Sequence, residues 1–155
     1  YLGEINPQIT PLMPVLLSPW LSIHVSLIMI AYALYAYIFL NGILALCLRH
    51  RPEQVERLML FSKLMSYPAT LFLGVGIFIG SVWANVSWGN YWSWDSKEVW
   101  ALITFMIYGV AFHGTSVPWM RKPIHYHIYM VLAFLSVLMT YVGVNYFLTG
   151  MHSYA

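Results

Sequence analysis

Residues 21–48 read LSIHVSLIMIAYALYAYIFLNGILALCL, a stretch without Lys, Arg, Asp or Glu. A helix needs about 20 consecutive apolar residues to cross the hydrocarbon core of a bilayer, and this stretch is longer. Only a helix satisfies all of its backbone hydrogen bonds internally over such a run in lipid. The stretch therefore predicts a transmembrane helix.

The rest of the chain repeats this pattern in three further gaps between charged residues. These gaps run from Lys63 to Asp95, from Glu98 to Arg121 and from Lys122 to the end, and two of them have clear apolar cores near Pro68–Val86 and Tyr126–Leu148. We therefore predict an all-α integral membrane bundle with four transmembrane helices, forming a single membrane domain over residues 1–155.

Composition supports this assignment and excludes several functions. The chain is 61% hydrophobic and 8% charged, whereas soluble domains carry about 25% charged residues. A net charge of +2 without a long basic run excludes nucleic-acid binding. Cys47 is the only cysteine, so the chain contains no Cys-x-x-Cys-His motif for its own covalent haem. Because the first residue is Tyr1, we expect the chain to be part of a longer polypeptide.

The basic residues predict the orientation in the membrane. Most of them lie between the first and second helices or between the third and fourth, and only one lies on the other side: Arg49, Arg51, Arg57, Lys63, Arg121 and Lys122 against Lys97. Basic loops stay in the cytoplasm. The N-terminus, the loop between helices two and three and the C-terminus are therefore predicted to be extracytoplasmic.

That outer loop is the most unusual segment of the chain. Residues 83–100 read WANVSWGNYWSWDSKEVW and hold five of the seven tryptophans, Trp83, Trp88, Trp92, Trp94 and Trp100. Aromatic residues commonly form a belt at the membrane interface. Three tryptophans within one short connection, at 88, 92 and 94, also suit a platform for a flat apolar ligand. Both interpretations stay open on the residues alone.

Two other residues shape this loop. Gly89 permits a close turn or a close backbone approach. Asp95, followed by Lys97 and Glu98, has the pattern of an N-cap and an acidic first turn, which predicts the start of the third helix there.

Three histidines are candidate ligands. His24, at the outer start of helix one, and His152, beyond the outer end of helix four, bracket the tryptophan loop on one face and could form an axial pair for haem iron. The alternative is that each is an interfacial residue. His113 is expected about 24 Å into helix three, counted at about 1.5 Å per residue. An ionisable group at that depth is a functional candidate, although a hydrogen bond to a neighbouring helix is the alternative. We expect solvated or snorkelling side chains for His50, His125 and His127.

The segment Trp88–Trp100 resembles the WWD signature of haem-handling proteins. Within that superfamily the chain is similar to the CcsA/ResC branch of system II cytochrome c biogenesis, since the segments around His24, His113 and His152 occur in the same order. The loop differs from the usual pattern at Ser93, where the family carries Gly, and at Ser96, where it carries Pro. The chain resembles the C-terminal part of the proteins in this family.

The resemblance implies a function and a set of partners. Haem b is the cargo, held first at His113 and then at the outer loop, where His24 and His152 supply its axial ligands. The site residues implied around it are Trp83, Trp88, Gly89, Trp92, Trp94, Asp95 and Trp100. The haem is presented to the Cys-x-x-Cys-His motif of an apocytochrome c, in complex with a CcsB/ResB-type membrane partner or fused domain. The implied location is a bacterial inner membrane or a thylakoid membrane.

The sequence is compatible with three functions. The first is a component of a holocytochrome c synthase, a thioether-forming lyase, in which positioning is the main contribution and no separate catalytic residue is identified. The second is a haem exporter or chaperone that delivers haem without catalysing attachment. The third is a membrane cytochrome b, which needs paired histidines on facing helices; the sequence offers only His113 at such a depth.

Overall fold

The structure is a computed structural model and describes residues 18–114 and 116–148. It is an all-helical bundle with α1 at Pro19–Cys47, α2 at Pro52–Trp88, α3 at Ser96–Val110 and α4 at Pro123–Leu138. A π-helical segment at Met139–Gly143 continues α4 into the short α5 at Val144–Phe147. The all-α prediction is confirmed.

Among residues 18–114 and 116–148, three helices are long and apolar enough to cross a membrane. They are Pro19–Cys47, Pro52–Trp88 and Pro123–Phe147, with hydropathies of 2.0, 1.7 and 1.9. The predicted third span does not form one long helix, because α3 ends at Val110 and the chain continues through 3-10 turns at Ala111–His113 and Pro118–Arg121. At about 1.5 Å per residue, α3 covers about 22 Å of a hydrocarbon core that is about 30 Å thick. The count of four spans therefore stays a prediction.

The early end of α3 changes the expectation for His113. The side chain was expected deep within helix three, but it lies in the 3-10 turn after α3 and is exposed. Gly114 follows this turn and Pro118 opens the next one. Both residue types interrupt a regular helix, which explains why it does not continue to Arg121.

The predicted boundaries of α2 were wrong in the opposite direction, because this helix is longer than predicted at both ends. The helix α2 begins at Pro52, with Pro at its first turn and Glu53 beside it, so Arg57 and Lys63 lie within α2 and not in a loop. Pro68 is inside this helix. At the other end α2 extends to Trp88, so Trp83 and Trp88 are helical and the connecting loop contains only residues 89–95. Trp100 lies in α3.

The core lies where the four helices meet. Its fully buried side chains include Tyr35 of α1, Leu73 of α2, Tyr108 of α3 and Met130 of α4. The rings of Tyr35 and Tyr108 stack across the bundle with centroids 3.6 Å apart. Large apolar residues such as Phe78, Leu71 and Tyr146 point outward with exposures of 77%, 64% and 79%. An apolar exterior is what lipid contact requires.

Glycines set the distance between α1 and its neighbours. A Cβ added at Gly42 would lie 2.7 Å from Val131 of α4, and one at Gly76 would lie 2.7 Å from Ile28 of α1. Small residues at helix interfaces let backbones approach closely, which is how helices associate in lipid. The helix α1 is thus held tightly between α2 and α4.

Candidate functional site

A cavity of about 230 Å³ opens at the end of the bundle where α1 and α3 begin and where α2 and α4 end. We call it the outer cavity, after the predicted orientation. Residues from α1, α2, α3, the connecting loop and the segment after α4 line it, among them His24, Tyr32, Gly80, Trp83, Trp92 and Lys97. The first predicted histidine and part of the tryptophan segment therefore lie at the same cavity.

His24 is held in a defined orientation at this cavity. The Nδ1 atom of its half-buried ring lies 2.7 Å from the carbonyl oxygen of Gly76, within hydrogen-bond distance. A carbonyl oxygen only accepts, so Nδ1 carries the proton and the neutral ring has its lone pair on Nε2. Metal-ligating histidines commonly have their other ring nitrogen fixed in this way.

Gly80 provides the space for this ring. A Cβ at this position would lie 2.6 Å from both Cε1 and Nδ1 of His24. Real Cβ atoms do not come so close, so any other residue here would displace the imidazole. Gly76 and Gly80 are four residues apart and lie on one face of α2. One of these glycines orients the ring and the other accommodates it.

The tryptophans form two edge-to-face pairs. Trp83, only 2% exposed, meets Trp88 with ring centroids 4.8 Å apart, and Trp92 meets Trp94 at 5.9 Å. Trp83 and Trp92 line the outer cavity, one from each pair. Trp94 is 73% exposed. The cavity wall therefore contains one buried and one half-buried indole, each in edge-to-face contact with a second tryptophan.

Residues at both ends of the loop between α2 and α3 fix its conformation. Gly89 ends α2 in the left-handed conformation at φ 78°, a turn of the kind that glycine permits. At the other end Asp95 caps α3 and forms a capping box with Glu98, which confirms the predicted start of this helix. The loop therefore has a defined conformation at both ends.

Glu98 does more than cap the helix. Its Oε2 accepts hydrogen bonds from the backbone N–H of Ser93 at 2.9 Å and from that of Asp95 at 3.1 Å, and the Ser93 hydroxyl is at 3.3 Å. The residue between them, Trp94, adopts φ 59°. A bulky residue at positive φ is strained by about 1–3 kcal/mol and persists only when its surroundings impose the conformation.

Lys97 places a cation at the outer cavity. It lies in the first turn of α3, outside the three candidate spans. Desolvation lowers the pKa of its ammonium group, and the neighbouring Asp95 carboxylate partly opposes this shift. Lys97 lines the cavity together with the acidic Glu98, so groups of both charge signs lie beside its apolar walls.

The end of α4 contributes Thr140 from the π-helical segment. Its hydroxyl lies 3.0 Å from that of Thr104, 2.7 Å from the Ser136 carbonyl and 3.2 Å from the Trp100 carbonyl. Such π segments inside helices often occur at functional sites. Trp100 therefore supports the cavity through its backbone, although it is not among the lining residues.

The structure brings together only part of the predicted site. His24, Trp83 and Trp92 line the outer cavity, and Gly89 and Asp95 frame its loop. His113 lies at the opposite end of the bundle. His152 lies outside the described residues. His127, which was expected to be solvated, is fully buried and its Nε2 is 3.1 Å from the Val55 carbonyl oxygen.

Sequence reasoning also missed residues of this site. Gly76 and Gly80 form a Gly-x-x-x-Gly pattern within an apolar segment, which is a known signal for close helix contact. Lys97 is the only basic residue predicted on the outer side, and this isolated charge is the signal that marks it. Thr140 carries no signal in the sequence, because only the π-helical segment shows where it lies.

The fold and this site define a multi-pass helical membrane protein with an indole-lined cavity at one end. Residues 1–152 match the family described as Cytochrome C assembly protein, and the chain belongs to this family. The predicted resemblance to CcsA-type cytochrome c biogenesis proteins is thereby confirmed.

Curated relatives cover the chain almost completely. It is 36% identical over 167 residues to protein NrfI of Wolinella succinogenes, which includes 100% of this chain and 18% of that protein. It is 38% identical over 157 residues to cytochrome c biogenesis protein CcsA of Chlamydomonas reinhardtii, covering 95% of this chain and 44% of that protein. For CcsA of Parasynechococcus marenigrum the identity is 36% over 180 residues, with 93% and 58% covered. The chain thus spans about half of the CcsA relatives and less of NrfI.

The geometry around His24 predicts the effect of a single methyl group. Gly80→Ala would insert a Cβ at the imidazole ring and turn it away from the Gly76 carbonyl, so the variant should lose at least tenfold in affinity for an iron porphyrin at this cavity. Titration of the purified protein with haem, followed by absorbance, measures this change.

Gly109→Ala is the matched control, because a Cβ at Gly109 in α3 meets no atom within 4 Å. Both substitutions remove a helical glycine and should raise helix propensity by about 1 kcal/mol. Equal haem affinity in the two variants would show that the position of the His24 ring does not matter for binding.

Proposed function

We propose that this chain takes part in cytochrome c biogenesis by binding haem at the outer cavity and presenting it for covalent attachment to an apocytochrome c. The observation that carries the proposal is the orientation of His24, whose Nδ1–H is fixed by the Gly76 carbonyl at an indole-lined cavity. The names of the family and of its CcsA relatives support the part of this proposal that concerns cytochrome c biogenesis.

The residues at the cavity fit a porphyrin edge. Trp83 and Trp92 offer flat apolar faces, His24 offers a nitrogen ligand and Lys97 offers a cation for an acidic substituent. At about 230 Å³ the cavity is smaller than the about 300–1,000 Å³ of pockets that enclose a whole drug-sized ligand. We infer that the described walls hold one edge of the ring, which leaves its other edge accessible to a protein substrate.

His152 is proposed as the second axial ligand and His113 as the ligand of an inner haem site. The first lies outside the described residues, and the second lies at the opposite end of the bundle from His24. Haem would reach the inner site first and the outer cavity afterwards. A CcsB/ResB-type partner or fused domain completes the assembly in this proposal.

In this proposal the chain contributes positioning to the attachment reaction and not a reacting group. The two cysteine thiols of the Cys-x-x-Cys-His motif add across the two vinyl groups of haem, each sulfur bonding to carbon while its proton moves to the neighbouring vinyl carbon. The chain's contribution is to hold the ring in place and to keep water from its bound edge. The substrate histidine would then replace one axial ligand.

Removing the proposed axial ligands should abolish the absorbance of bound low-spin haem. His24→Ala and His152→Ala together leave no imidazole for the iron at the outer cavity, so the absorbance bands of the purified full-length protein should be lost or should fall to the contribution of an inner haem. His50→Ala, in the turn between α1 and α2, is the control. An unchanged spectrum in the double variant would refute the axial assignment.

Attachment itself can be tested by co-expression of the full-length protein, its CcsB-type partner and an apocytochrome with a Cys-x-x-Cys-His motif. We expect covalent haem on the substrate, seen as haem that remains bound through denaturing electrophoresis. Haem that is delivered but extractable would favour the exporter or chaperone function instead.

The proposed topology can be tested by labelling one introduced cysteine, with the native cysteine as the control. Asn90→Cys places a thiol in the loop between α2 and α3, and the native Cys47 is exposed at the opposite end of the bundle. An impermeant maleimide should label the variant in intact cells and label Cys47 only after lysis. Labelling of Cys47 in intact cells, with position 90 protected, would reverse the orientation.

A further inference from the structure

A second, smaller cavity of about 130 Å³ lies at the opposite end of the bundle. We call it the inner cavity. Its lining comes from α2, α4 and the 3-10 turn after α3, and includes Lys63, Ser66, Tyr67, Phe112, Gly114 and Tyr126. The lining residues Phe112 and Gly114 flank His113, whose own side chain is exposed. The cavity and the predicted inner ligand are therefore immediate neighbours.

Lys63 gives this cavity a positive charge. It lies about 16 Å along α2 from Pro52, counted at about 1.5 Å per residue. Its described contact is with an aromatic face, because Nζ lies 5.4 Å from the centroid of the Tyr126 ring. Glu56, the nearest acidic residue along α2, is two turns closer to the helix start. The Lys63 side chain is half-buried, and a charged group that lines a cavity is a candidate for binding a ligand of opposite charge.

Tyr126 adds a hydrogen-bond donor. The residue is 0% exposed, and its hydroxyl has no well-formed hydrogen bond among the described residues. The hydroxyl of Ser66 is close by and donates to the Ser62 carbonyl at 2.7 Å, but its oxygen does not meet hydrogen-bond geometry as an acceptor for Tyr126. A buried hydroxyl without a partner is destabilising unless a ligand or water completes it.

The walls and the volume restrict what the inner cavity can hold. The rings of Tyr67 and Phe112 stack with centroids 4.9 Å apart and form an apolar side. A volume of about 130 Å³ corresponds to about four water molecules at about 30 Å³ each. This is room for one small anionic group, such as a carboxylate, but not for a whole porphyrin.

We propose that the inner cavity binds the carboxylate of an amphipathic ligand through Lys63 and Tyr126, and that this carboxylate is a propionate of the haem ligated at His113. This inference rests on the proposed function and specifies how the inner haem is recognised. A cation and a phenol at one side, with stacked rings at the other, match a group that is acidic at its end and apolar behind it.

The probe for this proposal is haem compared with its dimethyl ester, in which both propionates are blocked. Both are titrated, with absorbance detection, into the full-length protein carrying His24→Ala and His152→Ala, which leaves only the inner site. We expect the ester to bind about tenfold more weakly or worse, the loss that corresponds to one charge-assisted hydrogen bond.

Substitutions at the cavity assign this preference to its residues. Lys63→Gln and Tyr126→Phe should each weaken haem binding while leaving ester binding nearly unchanged, and Lys63→Arg should retain most of the preference for haem. Tyr129→Phe is the matched control on α4, because the Tyr129 hydroxyl already donates to the Ile107 carbonyl at 2.6 Å. A general loss of folding would weaken both ligands equally.

The outcomes separate this inference from the proposed function. Equal affinity for haem and ester would overturn the carboxylate site while the haem-binding function stands. Haem binding to the unmodified protein but not to the His24→Ala/His152→Ala protein would also overturn it. No haem binding by any protein would contradict the proposed function itself. If Lys63→Gln instead reduces the retention of phosphatidylglycerol and does not affect haem, the ligand is a lipid phosphate and the propionate assignment is wrong.

Discussion

The structure depends on how closely α1 approaches α2. Two glycines in α2 remove the side chains that would keep the helices apart, and both face α1 at His24 and Ile28. In lipid, apolar side chains gain little by leaving their surroundings, so association depends on close packing and on hydrogen bonds between helices. Gly76 contributes to both, because it admits Ile28 and its carbonyl fixes His24. The same contact therefore assembles the bundle and orients the candidate ligand.

The interior of the bundle contains several hydroxyl groups that form hydrogen bonds between helices. Tyr35 bonds to Thr70 at 3.1 Å, Thr104 pairs with Thr140, and Tyr129 donates to the Ile107 carbonyl. Hydrogen bonds of this kind fix how helices rotate against each other, which uniform apolar packing does not. The outer and inner cavities lie at opposite ends of this hydroxyl-bearing core.

The sequence predicts the helical class and much of the outer site, and its failures have physical causes. The apolar runs identified α1, α2 and α4, and the acids at 95 and 98 identified the start of α3, since these signals are local. Charges were poor markers of helix ends, because Lys63 lies inside α2 without ending it. Gly114 and Pro118 signal the early end of α3, but a prediction based only on the number of apolar residues between charges ignores both. The burial of His127 and the π-helical segment depend on packing between distant residues, which no local pattern contains.

The conformation of Trp94 has a consequence for the outer surface. Its indole is 73% exposed, yet its backbone is fixed because the N–H groups on either side of it bond to one carboxylate. The position of an aromatic side chain usually depends on the residues that pack against it. Here the backbone position is imposed from within the loop, so the indole projects from the same point whether water, lipid head groups or another protein surrounds it. An incoming partner would meet a preformed surface and would lose little entropy in ordering it.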